Sequence, residues 1–351
     1  MIIGLKNYGL HDRFIQEATM HDGLDIARVT QQHRELYKIV TEHGEINATV
    51  SGKFAHDAVS RAAFPVVGDW VMVKGDVIHA VLTRKSIIAR QSAGTTGAEQ
   101  AIAANIDYIF ICMSLNQDFN IRRLERYLTI CWDSAATPVI VLTKSDLCDD
   151  LAEKLAQAQA VSIGVDILTC SSVNGDGIDK IREYATPGKT ITFIGSSGVG
   201  KSTLINGLTG QDIMVTKEVS AGNDKGSHAT THRQLIAIST GAVVIDTPGM
   251  REIKMHIGDA SSTFSDIAEL ALMCKFRTCN HESEPGCAIL QAIENGKLDQ
   301  SRLSSFKKLE RELAYSNLNS RQLENKKMKM FGMSYNEVKQ FKRAVKNKQK
   351  R

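Results

Sequence analysis

Three short segments of this 351-residue chain carry residues spaced to bind a nucleotide. Gly195-Ser196-Ser197-Gly198-Val199-Gly200-Lys201-Ser202 fits the phosphate-loop pattern GxxxxGK[ST] without a mismatch. Glycines in such a loop let backbone N–H groups turn toward phosphate oxygens, at the positive end of the helix that follows. Lys201 is expected to reach the β- and γ-phosphates and Ser202 to ligate Mg²⁺. A phosphate loop alone does not choose between ATP and GTP; Thr143-Lys144-Ser145-Asp146 does. The Asp146 carboxylate can accept from guanine N1–H and N2–H₂ while the Lys144 stem lies along the base. Adenine offers no matching donors and would leave a buried carboxylate unpaired. The Thr143 hydroxyl is suited to bridge backbone groups. In isolation the tetrapeptide also reads as a polar cap between a strand and a helix; the phosphate loop turns it into a guanine motif. Cys170-Ser171-Ser172 carries two readings: the loop whose backbone meets guanine O6, or an ordinary strand end.

The third segment is Asp246-Thr247-Pro248-Gly249. Asp246 is expected to hold Mg²⁺ through water, and the Gly249 N–H to sense the γ-phosphate. Met250 follows, where Ras-type GTPases carry a glutamine that positions water, and a thioether cannot do so. Slow intrinsic hydrolysis is therefore expected. Assisted hydrolysis in other systems gains roughly 10⁵-fold, about 7 kcal/mol, which sets the scale of what a partner would supply. The polar, glycine-containing stretch from Ser220 to Arg233 reads as a switch loop. Thr230 is the choice for the second Mg²⁺ hydroxyl, with Thr231 the fallback. His228 reads either as a group that orients water or protonates near the phosphate, or as a solvated loop histidine. In an ordinary GTPase the phosphate loop leads and the guanine motif trails. Here the guanine motif comes first, so the parts are circularly permuted.

Of seven cysteines, Cys112, Cys131, Cys148 and Cys170 are scattered among core-like segments and read as buried thiols. Cys274, Cys279, His281 and Cys287 form Cys-x4-Cys-x-His-x5-Cys, four soft ligands within fourteen residues. That spacing suits a closed, tetrahedral structural zinc site without the open position a catalytic zinc needs. The alternative is a set of disulfides or free thiols, which an odd cysteine count and the lack of a basic-then-apolar leader disfavour.

Positioning these groups requires particular elements. Thr190 to Ile194, Pro138 to Leu142, Val165 to Thr169 and Ala242 to Ile245 are apolar runs that read as buried strands, each ending at a motif. From about Leu24 to Arg90 the texture is different: five short β runs (Ile26–Val29, Leu36–Val40, Ile46–Val50, Asp69–Val73, Val77–Leu82) predict a small barrel, with an OB-fold the natural candidate. Ser92 to Gly97 reads as a linker. Hydrophobic content of 42% is normal for soluble cores, and no apolar run is long enough to span a bilayer, so a cytoplasmic protein without a membrane partner is expected. The net charge of +4 is unevenly spread. Between Arg321 and Arg351 eleven Lys/Arg face two Asp/Glu, a net +9, which leaves the other 320 residues at −5. Such a tail reads as an RNA-phosphate binder or as a solvated tail kept for solubility.

Taken together, these residues resemble the ribosome small subunit-dependent GTPase A family, circularly permuted GTPases of small-subunit assembly. The resemblance covers nearly the whole chain, and Glu284-Pro285-Gly286-Cys287 is one of its more specific parts. It implies a multi-domain α/β protein: an extension over 1–24, an OB-fold RNA-binding barrel over 25–92 and a permuted P-loop GTPase domain over 93–255. A helical zinc-binding domain over 256–312 and a basic tail over 313–351 complete it. It carries the GTP pattern onto Thr143 to Asp146 and Gly195 to Thr203, zinc onto Cys274, Cys279, His281 and Cys287, and the switch histidine onto His228. It also implies a GTP hydrolase acting late in 30S maturation as a monomer, with the 30S subunit and 16S rRNA as partners and small-subunit-stimulated turnover. Three departures stand out: Thr143 where Asn is common, Ala229 where Thr usually follows the histidine, and Ser227 where a basic residue is common. Two other readings compete. One is a non-catalytic RNA-binding module tuned by GTP; the other, an ATP-dependent enzyme, is disfavoured by Asp146.

Overall fold

Residues 4–91, 99–210, 233–246 and 260–316 are described by the computed structural model. Helix α1 (Asp12–Ala18) precedes strands β1 (Asp25–His33), β2 (Leu36–Thr41) and β3 (Gly44–Val50). Helix α2 (Gly52–Asp57) then leads to β4 (Trp70–Lys74) and β5 (Val77–Val81). The pairing order β1-β2-β3-β5-β4 returns to β1, closing a five-stranded OB-fold barrel. Period-two alternation dictates its packing. Ala27, Val29, Tyr37, Ile39, Val71, Val73 and Ile78 fill the interior. Residues of the opposite phase, Val40, Trp70 and Met72, pack outside against Leu5 and Phe14, so the N-terminal segment is a lid on the barrel wall.

Strands β6 (Ile87–Gln91) and β7 (Glu99–Ala104) pair antiparallel with each other. The linker read from Ser92 to Gly97 lies between them, outside the described residues. The chain then lays down β8 (Tyr108–Ser114), α3 (Ile121–Asp133), β9 (Thr137–Thr143), α4 (Leu151–Val161) and β10 (Asp166–Thr169). It continues through α5 (Ile178–Arg182), β11 (Thr190–Ile194), α6 (Lys201–Thr209), β12 (Gln234–Ala237) and β13 (Val243–Asp246). In space the order is β10-β9-β8-β11-β13-β12, parallel except for β12. Helices cover both faces, which is why β8, β9 and β11 read as continuous apolar runs. α3 and α4 share one core with alternate residues of these strands, and α5 and α6 share the other.

Helices α7 (Ser265–Leu272), α8 (Ala288–Glu294) and α9 (Gln300–Ser316) form the C-terminal module. Its Phe264, Ile267, Ile289 and Leu303 join the core that contains α3. The boundary read at 255–256 lies outside the described residues, and α9 runs across the one read at 312–313. Barrel and parallel sheet meet at the Gln31–Gln234 pair of β1 and β12 and at Arg28. The buried Arg28 guanidinium donates to Gly68 O (3.2 Å), to Tyr8 O and to Thr190 Oγ1 (2.9 Å), and lies over the Trp70 ring. Burial pulls it down to about 10. Thr190 opens β11, the strand that delivers the phosphate loop, so this one side chain fixes that strand against the barrel. Among the described residues no helix is long and apolar enough to cross a membrane.

Candidate nucleotide site and metal cluster

The three nucleotide motifs leave the same edge of the parallel sheet. Thr143 ends β9, Gly195 follows β11, and Asp246 ends β13. β9 and β11 flank β8, and β13 lies on the other side of β11, so a permuted chain brings the motifs together as neighbours. Gly195 sits at φ +144, and a Cβ there would lie 2.3 Å from Cys112 O; no side chain fits. Gly198 (φ +74) and Gly200 (φ +97) have open space around them and are required instead for their left-handed backbone. Helix α6 begins immediately afterward at Lys201, with Ser202 and Thr203 in its first turn.

The loop is held by named contacts. Thr143 Oγ1 donates to Val199 O at 2.6 Å, which ties the guanine motif to the phosphate loop. Lys144 adopts left-handed φ 59, a conformation that costs a non-glycine residue about 1 kcal/mol and turns Ser145 and Asp146 off the strand end. Ser145 N donates to Cys170 O (3.2 Å), joining the guanine motif to the Cys170-Ser171-Ser172 loop. Ser171 is buried, its hydroxyl accepting from Val173 N and Asn174 N, while Ser172 is exposed. Lys201 Nζ donates to Gly195 O (2.8 Å) and Ser196 O. The Ser196 hydroxyl accepts from Arg123 of α3, and Tyr127 of the same helix lies beside it. Neither was legible as a site residue, since on the chain they belong to an ordinary amphipathic helix.

Asp246 Oδ2 is buried and has no hydrogen-bond partner among the described residues. Burial pushes this carboxyl up to about 6, against the pull of the Lys201 ammonium. An orphaned, charge-capable oxygen at the phosphate-loop edge is what a hydrated cation would satisfy. His228, Thr230, Thr231, Gly249 and Met250 lie outside the described residues.

In the C-terminal module, ligand atoms of Cys274, Cys279, His281 and Cys287 all lie within 4.8 Å of one another. Cys274 Sγ is 3.7 Å from His281 Nδ1 and 3.9 Å from Cys287 Sγ, and Cys287 Sγ is 3.4 Å from His281 Nδ1. These four residues could hold one metal ion. None of the seven cysteines is paired in a disulfide. Cys112, Cys131 and Cys170 are buried as expected; Cys148 is instead part-exposed, with Asp150 Oδ1 at 3.3 Å, because it follows the short turn after the guanine motif. The Glu284 carboxylate accepts from Asn280 N (2.8 Å), Glu282 N (2.9 Å) and Ser283 N (3.1 Å), and these bonds pull it down to about 2. It folds the turn that brings His281, itself at φ 57, toward Cys287. Lys307 of α9 caps the His281 carbonyl at 3.0 Å.

Comparison with known proteins accords with this arrangement. Residues 81–256 match the family model described as RsgA GTPase. The Small ribosomal subunit biogenesis GTPase RsgA 2 of Lactiplantibacillus plantarum is 53% identical over 338 residues, covering 95% of this chain and 96% of that one. The Small ribosomal subunit biogenesis GTPase RsgA 1 of Listeria monocytogenes is 43% identical, covering 89% and 90%. The crystal structure of YjeQ from Thermotoga maritima superposes with a TM-score of 0.63 at 26% identity, covering 83% of this chain and 99% of that one.

Proposed function

The chain belongs to the RsgA GTPase family, and from that premise we propose that it hydrolyses GTP in late maturation of the 30S ribosomal subunit, stimulated by that subunit. The observation that carries the reading is the convergence of Thr143–Asp146, Gly195–Ser202 and Asp246 at one sheet edge, tied by the Thr143–Val199 bond. The relatives' names, which specify small-subunit biogenesis, support the biological setting.

In this reading Asp146 and Lys144 select guanine, and the backbone around Ser171 and Ser172 meets the base from the other side. Backbone N–H groups from Gly195 to Thr203 cradle the phosphates, and Lys201 exchanges its loop carbonyls for phosphate oxygens. Ser202, Thr230 and Asp246 are the residues that would hold Mg²⁺, which when bound neutralises charge on the β- and γ-phosphates. Gly249 senses the γ-phosphate. Because Met250 cannot orient water, His228 is assigned that work, completed on the ribosomal particle. The metal of the C-terminal module is assigned as structural zinc. Ligand atoms of Cys274, His281 and Cys287 lie 3.4, 3.7 and 3.9 Å apart, near enough to share one ion with Cys279. With four protein ligands no position is left for substrate. The barrel (25–92), the zinc module (256–312) and the basic tail (313–351) are read as the 16S rRNA-contacting parts around the GTPase domain (93–255). A cytoplasmic monomer completes the assignment.

GTP turnover measured with and without purified small subunits tests it, with large subunits and ATP as controls. Stimulation by small subunits alone, lost in His228→Ala with GTP binding retained, is expected. Equal rates with and without small subunits would overturn it.

A further inference from the structure

Helix α3 grips two different parts of the molecule with two different faces. Arg123 and Tyr127 are four residues apart and share one side; Glu125 and Thr129, also four apart, lie about 200° round the helix from them. On the first side, Arg123 donates to Ser196 Oγ of the phosphate loop and to Asp118 O (2.6 Å), and pairs with the Asp118 carboxylate at 2.9 Å. Tyr127 lies beside the same Ser196. On the second side, Glu125 accepts from Arg302 of α9 at 2.9 Å, and Thr129 Oγ1 meets Thr263 Oγ1 at 2.9 Å.

Arg302 is the centre of the second grip. Its buried guanidinium also holds Asp266 through two bonds (2.6 and 3.0 Å) and Thr263 O (3.0 Å), and stacks 4.6 Å over the Phe264 ring. A bidentate, desolvated guanidinium is directional, so sliding or rotating α3 against the C-terminal module would break several charge-assisted bonds at once. The surrounding core is continuous between them, and packed interiors transmit displacement rather than absorb it.

We propose that α3 is a two-faced strut through which the C-terminal metal-binding module sets the geometry of the phosphate loop, with Arg123 as the positioning residue acting through Ser196. Lys201 leaves the Ser196 carbonyl to reach phosphate, whereas the α3 grip on the hydroxyl does not depend on the nucleotide. A loop with glycines at 195, 198 and 200 has many conformations to lose on binding, and the grip removes part of that cost beforehand. Its loss therefore weakens nucleotide affinity and leaves turnover at saturation intact.

The test uses the full-length chain, with equilibrium binding of fluorescent GTP and GDP analogues and hydrolysis at saturating GTP; cooperative melting shows which variants are folded. Arg123→Gln and Ser196→Ala should each weaken both nucleotides about three- to tenfold, as loss of one charge-assisted bond implies, and the double variant no more than either single one. Arg123→Lys should recover part of the loss, and the saturated rate of the two Arg123 variants should stay unchanged. On the far side, Arg302→Lys and the similarly shaped pair Thr129→Val with Thr263→Val should weaken binding roughly two- to threefold, at the low end of what substitutions between coupled sites produce, without touching the loop. In the Arg123→Gln background they should add nothing. The valine pair carries the far-side test if Arg302→Lys does not fold. Folded variants with unaltered GTP affinity, or far-side losses that add in full to Arg123→Gln, would overturn the strut. None of these measurements needs the small subunit, so they stand apart from the proposed ribosomal role.

Discussion

Asp246 should be destabilising to the nucleotide-free protein in a way that pH reveals. Its carboxyl ionises at an ordinary value near 3.8 in the unfolded chain and at about 6 in the fold, because burial disfavours the charge more than Lys201 favours it. Between those values the unfolded state gives up its proton first, so stability falls as pH rises and levels off above the folded value. At 1.36 kcal/mol per unit, the gap of about two units amounts to about 3 kcal/mol at pH 7.5, and integration gives only about 1.5 kcal/mol at pH 5. Asp246→Asn keeps the shape and removes the charge. The amide brings its own unsatisfied hydrogen bonds, but that cost does not vary with pH. The difference in stability between Asp246→Asn and the unaltered protein should therefore shift in the variant's favour by about 1.5 kcal/mol between pH 5 and 7.5. Parallel urea melts at those two pH values, without nucleotide or Mg²⁺, measure it. The same variant should lose Mg²⁺-dependent GTP hydrolysis, since the orphaned oxygen that makes the fold less stable is the one assigned to the cation. A stability difference that stays flat with pH, or moves the other way, would refute both the buried charge and the trade-off built on it.

Thr143→Val removes the 2.6 Å bond to Val199 O and leaves a buried carbonyl short of a donor, which should cost about 1–2 kcal/mol of GTP affinity, roughly tenfold in Kd by titration calorimetry. Gly195→Ala places a Cβ against Cys112 O and should abolish saturable GTP binding while the barrel and C-terminal module stay folded; near-normal affinity would show that the loop has another conformation available. Glu284→Gln turns one of the two oxygens that share three backbone N–H groups beside the metal cluster into an N–H₂ donor, so it should release metal faster to a chelator, read as zinc per chain over time. The unaltered chain should carry one zinc, and Cys287→Ser should carry less than one.

The sequence by itself determined what is local. Five short β runs between Ile26 and Leu82 specified barrel strands, since β-branched and apolar residues in runs of four to six favour the extended backbone. The phosphate loop, Asp146 and the cysteine–histidine spacing were legible because each function needs fixed residue types within a few positions. The permuted order was legible too, because it is a property of the chain rather than of space. Tertiary structure decided the rest. That Gly195 must be glycine follows from Cys112 on a neighbouring strand, and the raised pKa of Asp246 follows from burial that the Lys201 charge only partly offsets. Leu5 and Phe14 read as an unremarkable extension until Trp70 is placed beneath them. The two-sided use of α3 was invisible for the same reason: Arg302 meets Glu125 across 177 residues of sequence, and no local pattern encodes which distant side chain will neutralise a buried charge. Local chemistry needs only neighbours along the chain, whereas burial and charge pairing are set by whatever the fold brings alongside.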